Sequence, residues 1–287
     1  MPSRVKRLVA SVDQFQRERA WLAFPVAVAK KFGSDRGGNL AALIAYYGFF
    51  SIFPLLLVLV SVLGYVLADD PALQRDILDS SLASFPVIGD QIRDNVGSLD
   101  GNLVGIGIGL ATALWAGLGV VRSIEQAMDR IWDVPHAEEA PFLVRNLRAL
   151  GFVVVLGGGV LLSTFAAGAL SDVGIGWLAS IGALALPFAL SFGVALIAFR
   201  MLTSAQIAWR DVVPGALLAA FGWTVLQSVG GLLVRNQIQE SSSTYGTFAL
   251  VIGLLVWMLL IGRITLYAAE VNVVRVRRLW PVGLRDK

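Results

Sequence analysis

Residues 37–68, GGNLAALIAYYGFFSIFPLLLVLVSVLGYVLA, form a run of 32 residues without a charged side chain. A soluble helix needs polar residues on its exposed face, whereas roughly 20 consecutive apolar residues are what a helix needs to cross the hydrocarbon core of a bilayer. Five further charge-free runs of spanning length follow: 101–121, 149–171, 173–199, 212–234 and 241–262. The sequence therefore predicts an all-α, polytopic membrane protein with a six-transmembrane-helix bundle, and it excludes a soluble globular enzyme.

The residue types that carry most enzyme chemistry are scarce. The chain is 56% hydrophobic and only 15% charged, and it has no Cys and a single His, His136. Without Cys there is no disulfide scaffold and no thiolate metal site, and one His excludes any metal site that needs two. The intramembrane hydroxyl groups have no His or Lys at a useful spacing. We therefore expect no enzyme activity, no catalytic residues, no cofactor and no metal.

The basic residues divide unequally between the two sides of a six-span arrangement. Twenty of the 23 Lys and Arg residues fall on the side of the two termini, and only Arg75, Arg93 and Arg235 fall on the other. Because excess Lys and Arg stays cytoplasmic in short loops, both termini are predicted in the cytosol. These residues flank spans, where anionic lipid headgroups would meet them. The expected partners are thus membrane lipids and not nucleic acid.

Three segments are expected. Residues 1–36 are a cytosolic, interfacial segment, in which apolar residues at helical spacing predict an amphipathic helix on the inner leaflet. Residues 37–275 are the six-span membrane domain, and residues 276–287 are a basic cytosolic tail. A cleavable signal peptide is an alternative for residues 20–29, but Pro25 interrupts this run and Lys30 and Lys31 follow it directly.

Three residues within or just beyond the predicted spans are unusual for a membrane helix: Pro54, Arg263 and Glu270. Pro54 removes a backbone hydrogen bond near the middle of the first span and should break or kink that helix beside Ser51. Arg263 and Glu270 lie seven residues apart, on one face of the last helix. Arg263 lies within the hydrocarbon region if this span begins near residue 248, and at the inner headgroups if it begins near residue 243.

A pairing is also expected for the carboxylate of Glu270. Arg122 and Arg130 lie on the predicted cytosolic extension of the second span. Either of them could form an ion pair with Glu270 that latches two helices together.

Several short motifs occur in order along the chain. They are NLAA at 39–42, SIFPLL at 51–56, SIEQAMDRIW at 123–132, PGA at 214–216, YG at 245–246 and AAE at 268–270. In this order and spacing they resemble the YihY/BrkB family of bacterial inner-membrane proteins, over most of residues 36–275. One departure is Ala269, where the family more often has Gly before the Glu.

The resemblance implies a bacterial inner-membrane location. The family is named for a virulence factor, and some members are linked to transport of envelope lipids or lipopolysaccharide. Others carry an old ribonuclease label that this composition does not support. We therefore expect a transporter, or a protein that helps export an amphiphilic envelope component such as a lipid. A non-transporting structural or scaffolding membrane protein of the cell envelope is the alternative. Besides lipids, the partners left open are a second copy of the chain, in a homo-oligomer, and other proteins of an envelope complex.

The resemblance also supplies candidate functional residues, for each of which helix packing or loop geometry is an equally open role. Together with Arg263, they are Asn39, Ser51, Pro54, Glu125, Gln126, Trp132, Pro214, Tyr245, Gly246 and Glu270. Among them, Glu125, Gln126 and Glu270 are polar residues at the cytosolic ends of the second and sixth spans. They predict a shared cluster at the inner mouth of the bundle.

Overall fold

A computed structural model describes residues 13–66, 103–155, 176–237 and 246–283. All regular structure in these ranges is helical, which confirms the expected all-α class for this part of the chain. The helices are α1 (Ala20–Ser34), α2 (Gly37–Val66), α3 (Leu103–Ile131), α4 (residues 142–155), α5 (Gly176–Met201), α6 (Trp209–Gln237) and α7 (Gly246–Val276). A 3-10 turn, His136–Glu138, lies between α3 and α4.

Two helical segments in the described ranges are long and apolar enough to cross a membrane. They are Trp209–Val229 in α6 and Val251–Val276 in α7, and shorter apolar stretches occupy Gly37–Ile52 in α2 and Ala185–Met201 in α5. Large apolar side chains such as Phe50, Phe221 and Val256 are exposed along these helices. A soluble protein rarely leaves so much apolar surface uncovered. The total of six spans stays a prediction.

Helix α7 is central to the packing, because it contacts α1, α2, α3 and α6. Its crossing with α6 is close at Gly215, where an added Cβ would lie 2.2 Å from the backbone oxygen of Ala268. The backbone N–H of Gly215 donates to Oδ1 of Asn272 at 2.7 Å. Only glycine fits at position 215, so the crossing of α6 and α7 depends on Gly215.

Helix α1 is packed into the bundle. Its Ala27 and Val28 are buried against Val274 of α7, and the ring of Phe32 stacks on Tyr267 with ring centroids 3.9 Å apart. The run at 20–29 that could have been a signal sequence is thus part of a helix with buried side chains.

The chain after α7 folds back onto the N-terminal segment. The rings of Trp280 and Phe24 meet edge to face at 5.2 Å, and Lys30 Nζ donates to the carbonyl oxygen of Gly283 at 2.6 Å. Gln16 Nε2 donates to the carbonyl oxygen of Val282 at 2.7 Å. We call these contacts the terminal clasp. The first part of the predicted basic tail is therefore packed against α1.

Two expectations about helices need correction. Residues 13–17 are helical, but the chain turns at 18–19 before α1 begins, so the predicted amphipathic segment is not one continuous helix. Its residues 1–12 lie outside the described ranges, and its place on the inner leaflet stays a prediction. Helix α2 continues through Pro54, so the predicted break there is wrong; a bend within a continuous helix stays a prediction.

Candidate functional site

The buried charged side chains of the described residues collect at one end of the bundle. They are Asp35, Glu125, Asp129 and Glu270. This end, which we call the polar end, is formed by α1, the C-terminal ends of α3 and α7 and the segments that follow them. Burying a charge costs free energy unless it is paired and hydrogen-bonded, so the partners of these groups define what the polar end can do.

Lys31 joins α1 to the end of α3. Its Nζ donates to the carboxylate of Asp35, one helical turn further on, and to the carbonyl oxygen of Ile131 at 3.0 Å. Nζ also lies 3.4 Å from Oδ2 of Asp133. Because α3 ends at Ile131, its last carbonyl groups lack partners within the helix. Lys31 supplies one such donor and places its charge among the surrounding carboxylates.

A turn after α3 places Asp133 between two cations. Asp133 has φ 48°, a left-handed conformation that Asp tolerates better than most residues. Its Oδ2 lies 2.6 Å from Nη1 of Arg277, whose Nη2 donates to the carbonyl oxygen of Trp132. Arg277 thus ties the end of α7 to the same turn that Lys31 reaches from α1.

Glu270 completes this group, which we call the lysine cluster: Lys31, Asp35, Asp133, Glu270 and Arg277. Glu270 is fully buried, and no N–H group of the described residues donates to either of its carboxyl oxygens. The charged groups that act on it are Lys31, Asp35 and Asp133. With all five ionised, three carboxylates face two cations. Full ionisation of the lysine cluster would thus leave one negative charge that its own residues do not balance.

Glu125 belongs to a separate ion pair. Its Oε2 lies 3.2 Å from Nε of Arg145, which also reaches Glu139 at 3.5 Å. Glu125 lies outside the predicted second span, which is the charge-free run 101–121. Burial raises the pKa of its carboxyl group, Arg145 opposes that rise, and the nearby Asp129 adds to it.

Asp129 anchors the loop that follows α5. Its Oδ1 accepts hydrogen bonds from Thr203 Oγ1 at 3.0 Å and from the backbone N–H of Ser204 at 2.6 Å. Its Oδ2 accepts a third, from Ser204 Oγ at 3.2 Å. A buried carboxylate with three donors is well satisfied. Asp129 is therefore a structural link between α3 and α5.

Two cavities flank the segment Val134–Pro135, which lines both. The first has a volume of about 780 Å³ and lies between this segment, the loop at 204–207 and Arg277. The second has a volume of about 650 Å³ and lies between the start of α2 and the end of α3; its wall includes Asn39, Gln126 and Asp129. Both volumes fall in the range of small-molecule sites.

The predicted cluster of Glu125, Gln126 and Glu270 is divided among three environments. Glu125 pairs with Arg145, Glu270 lies in the lysine cluster, and Gln126 is exposed in the wall of the second cavity. The expected pairing of Glu270 with Arg122 is wrong, because Arg122 donates instead to Oδ1 of Asn146 at 2.6 and 3.1 Å. Arg130 lines the second cavity, and the cation that acts most strongly on Glu270 is Lys31.

The remaining candidates are dispersed. Asn39 is exposed in the second cavity, and Ser51 Oγ donates to the carbonyl oxygen of Gly48 within its own helix. Arg263 is exposed, although it shares a helix face with the buried Glu270. The two differ because α1 covers α7 from Tyr267 toward the C-terminal end of the helix and does not reach Arg263. Trp132 is buried, Pro214 is half-buried near the start of α6, Gly246 begins α7, Pro54 lies within α2, and Tyr245 lies outside the described ranges.

Sequence reasoning missed Lys31, Asp35, Asp133 and Arg277. Lys31 and Asp35 did carry a signal, since they stand four residues apart within and just after a helix. Nothing in the sequence indicates that Asp133 and Arg277 meet, because they are far apart in the chain.

The features of the described ranges define a class: helices with apolar sides and a charged end with cavities, as expected of a membrane protein. The family model described as "Virulence factor BrkB" matches residues 28–281. The chain therefore belongs to this family, and the resemblance seen in its motifs is confirmed.

Named relatives agree with a membrane location. The chain is 24% identical to the inner membrane protein YhjD of Escherichia coli (strain K12), over 92% of this chain and 84% of the relative. It is 25% identical to a UPF0761 membrane protein of Acinetobacter baylyi, over 89% of this chain and 62% of the relative. A ribonuclease-like protein, YfkH of Bacillus subtilis (strain 168), is 23% identical over 90% of this chain and 96% of the relative. No solved structure matches.

Proposed function

We propose that this protein moves, or helps to move, an amphiphilic component of the bacterial envelope, such as a lipid. In this proposal it spans the plasma membrane six times, with both termini in the cytosol, and it acts without covalent catalysis, cofactor or nucleic acid. Membrane lipids are its partners.

The observation that carries the proposal is the contrast between the sides and the polar end of the bundle. The sides expose apolar residues such as Phe221 on α6 and Val256 on α7. The polar end has two cavities with charged walls. An amphiphile needs both surfaces, because its chains stay in hydrocarbon while its headgroup requires polar contacts.

A scaffold that assembles an envelope complex is the second candidate. The close crossing at Gly215 favours it, because glycine-packed helices form rigid bundles. The ribonuclease-like name belongs to the relative from B. subtilis. For this chain a nuclease is disfavoured by its single His and by charge-free runs that hold about half of its residues.

Transport is tested with the full chain reconstituted in vesicles that contain fluorescent phospholipids. We expect faster movement of lipid between the leaflets than in protein-free vesicles, and slower movement with Gln126→Leu, which changes an exposed residue of the second cavity. Mass spectrometry of the lipids retained in native membrane patches would identify the substrate class. Unchanged lipid movement together with a retained lipid composition equal to that of the bulk membrane would favour the scaffold.

A further inference from the structure

The wall of the second cavity contains both acidic and basic side chains, and each of its acidic side chains has a partner. Asp35 pairs with Lys31, and Glu139 pairs with Arg145 at 3.5 Å and with His136. Asp129, as described, accepts three hydrogen bonds from the loop after α5. Each carboxylate of the wall is thus already engaged with another part of the protein.

Arg36 and Arg130 line the same cavity and differ in this respect. Arg36 lies between α1 and α2, Arg130 lies in the last turn of α3, and both are exposed. Neither side chain has an ion pair or a hydrogen bond with any residue in the described ranges. Two guanidinium groups from separate elements therefore border one cavity with their donors unused.

The geometry points to a phosphate site: we propose that the second cavity binds an anionic phosphate group between Arg36 and Arg130. Guanidinium groups match phosphate oxygens with paired donors. The side-chain amides of Asn39 and Gln126, which line the same wall, can donate to the remaining oxygens.

The role of this site rests on the proposed function, in which the phosphate belongs to the headgroup of the lipid that is moved. A free phosphate compound would offer the same chemistry. Binding can be measured without transport, so failure of the site is distinguishable from failure of the proposed function. Lipid movement without phosphate binding would refute the site alone.

The test is isothermal titration calorimetry of the full chain in a neutral detergent. The probes are inorganic phosphate and a short-chain phosphatidic acid, with a short-chain phosphatidylcholine as the reference that lacks net charge. The variants are Arg36→Asn and Arg130→Gln. Asn suits position 36 because Arg36 has φ 56°, a left-handed conformation that Asn tolerates. The matched control is Arg275→Gln, an exposed arginine at the end of α7 that does not line the cavity.

We expect each cavity variant to weaken binding of phosphatidic acid by about tenfold, as for the loss of one charge-assisted contact, and Arg275→Gln to leave it unchanged. Phosphatidic acid binding more tightly than inorganic phosphate identifies a lipid headgroup as the source; equal binding identifies a soluble phosphate compound. The proposal is overturned if neither probe binds, if phosphatidylcholine binds as tightly as phosphatidic acid, or if the control weakens binding as much as the cavity variants. Folding of every variant is checked by its melting temperature.

Discussion

Lys31 is the cation that serves the two buried carboxyl groups of the lysine cluster, because it pairs with Asp35 and is the cation that acts on Glu270. Removing one partner from a buried charged group leaves the others uncompensated and typically costs about 3 kcal/mol or more. Replacing Glu270 by Gln instead removes a buried carboxyl group to which no N–H group of the described residues donates. At the residue scale the two substitutions should therefore have unequal effects.

We expect Lys31→Met to lower the free energy of unfolding by about 3 kcal/mol, and Glu270→Gln to change it little or to increase it. The free energy of unfolding of the double variant should be higher than the sum of the two single effects predicts, because Met at position 31 then faces one carboxyl group fewer. Unfolding of the purified protein in detergent measures all three. Lys30→Met, which removes one hydrogen bond to Gly283, is the matched control and should cost about 1 kcal/mol. Strictly additive losses would show that Lys31 and Glu270 do not interact.

Glu125 gives stability a dependence on pH whose sign follows from its raised pKa. Above the ordinary value of 4.5 the unfolded chain loses the proton first, while the folded chain keeps it to a higher pH. Stability therefore falls as pH rises from about 4.5 to the raised pKa, and Glu125→Gln removes this contribution. The melting temperature of the variant minus that of the wild type should increase over this range.

Arg145 provides the control for that measurement. Because Arg145 lowers the pKa of Glu125, Arg145→Gln should extend the pH-dependent range of the otherwise unchanged protein to higher pH. If the melting temperature of Glu125→Gln minus that of the wild type is flat, or decreases with pH, the assignment is contradicted.

At the scale of helices, the crossing of α6 and α7 depends on the absence of a side chain at Gly215. A Cβ there would meet the backbone oxygen of Ala268 and the side chain of Asn272 at 2.2–2.3 Å. We expect Gly215→Ala to destabilise the protein by about 3 kcal/mol, since a helix backbone cannot yield as a side chain can. Gly193→Ala on α5 is the matched control, because nothing lies within 4 Å of its added Cβ. Equal melting temperatures for the two variants would show that the crossing is looser than the structure indicates.

The helices were predictable to different degrees. The apolar runs at 212–234 and 241–262 correspond to α6 and α7, because a run without charges shows directly in the sequence. The packing of α1 against α7 was not predicted, since an apolar face of Ala23, Ala27, Val28 and Phe32 can cover a membrane surface as well as another helix.

The site was predictable only in part, because a single sequence does not show which distant elements pack together. Glu270 was selected as an unusual charge at the end of an apolar helix, and it is fully buried. Its neighbourhood was not found, because Lys31 and Asp133 approach it from elements far away in the chain. The prediction considered only arginines on a neighbouring span, whereas the cation that acts on Glu270 is Lys31 of α1, a helix that was expected on the membrane surface.

For the whole molecule, the distribution of basic residues predicts which parts of the chain lie on each side of the membrane. Reporter fusions after Arg36, Arg130, Arg210 and Lys287 should give cytoplasmic signals, and fusions near Asp90 and Gln237 should give external signals. The reason is that 20 of the 23 basic residues lie on one side of six spans. Paired reporters, one active only inside and one only outside, would check each position. An external signal at Lys287 would refute the arrangement.

The central place of α7 has a consequence for biosynthesis. The ribosome makes α1, α2, α3 and α6 before the helix that touches all four of them exists. Until that helix leaves the translocon, Lys31 and Asp35 have no Glu270 beside them, and the terminal clasp lacks its second half. The nascent chain therefore carries an incompletely paired charged surface until translation ends. A premature stop codon before residue 246 removes the shared partner of four helices at once.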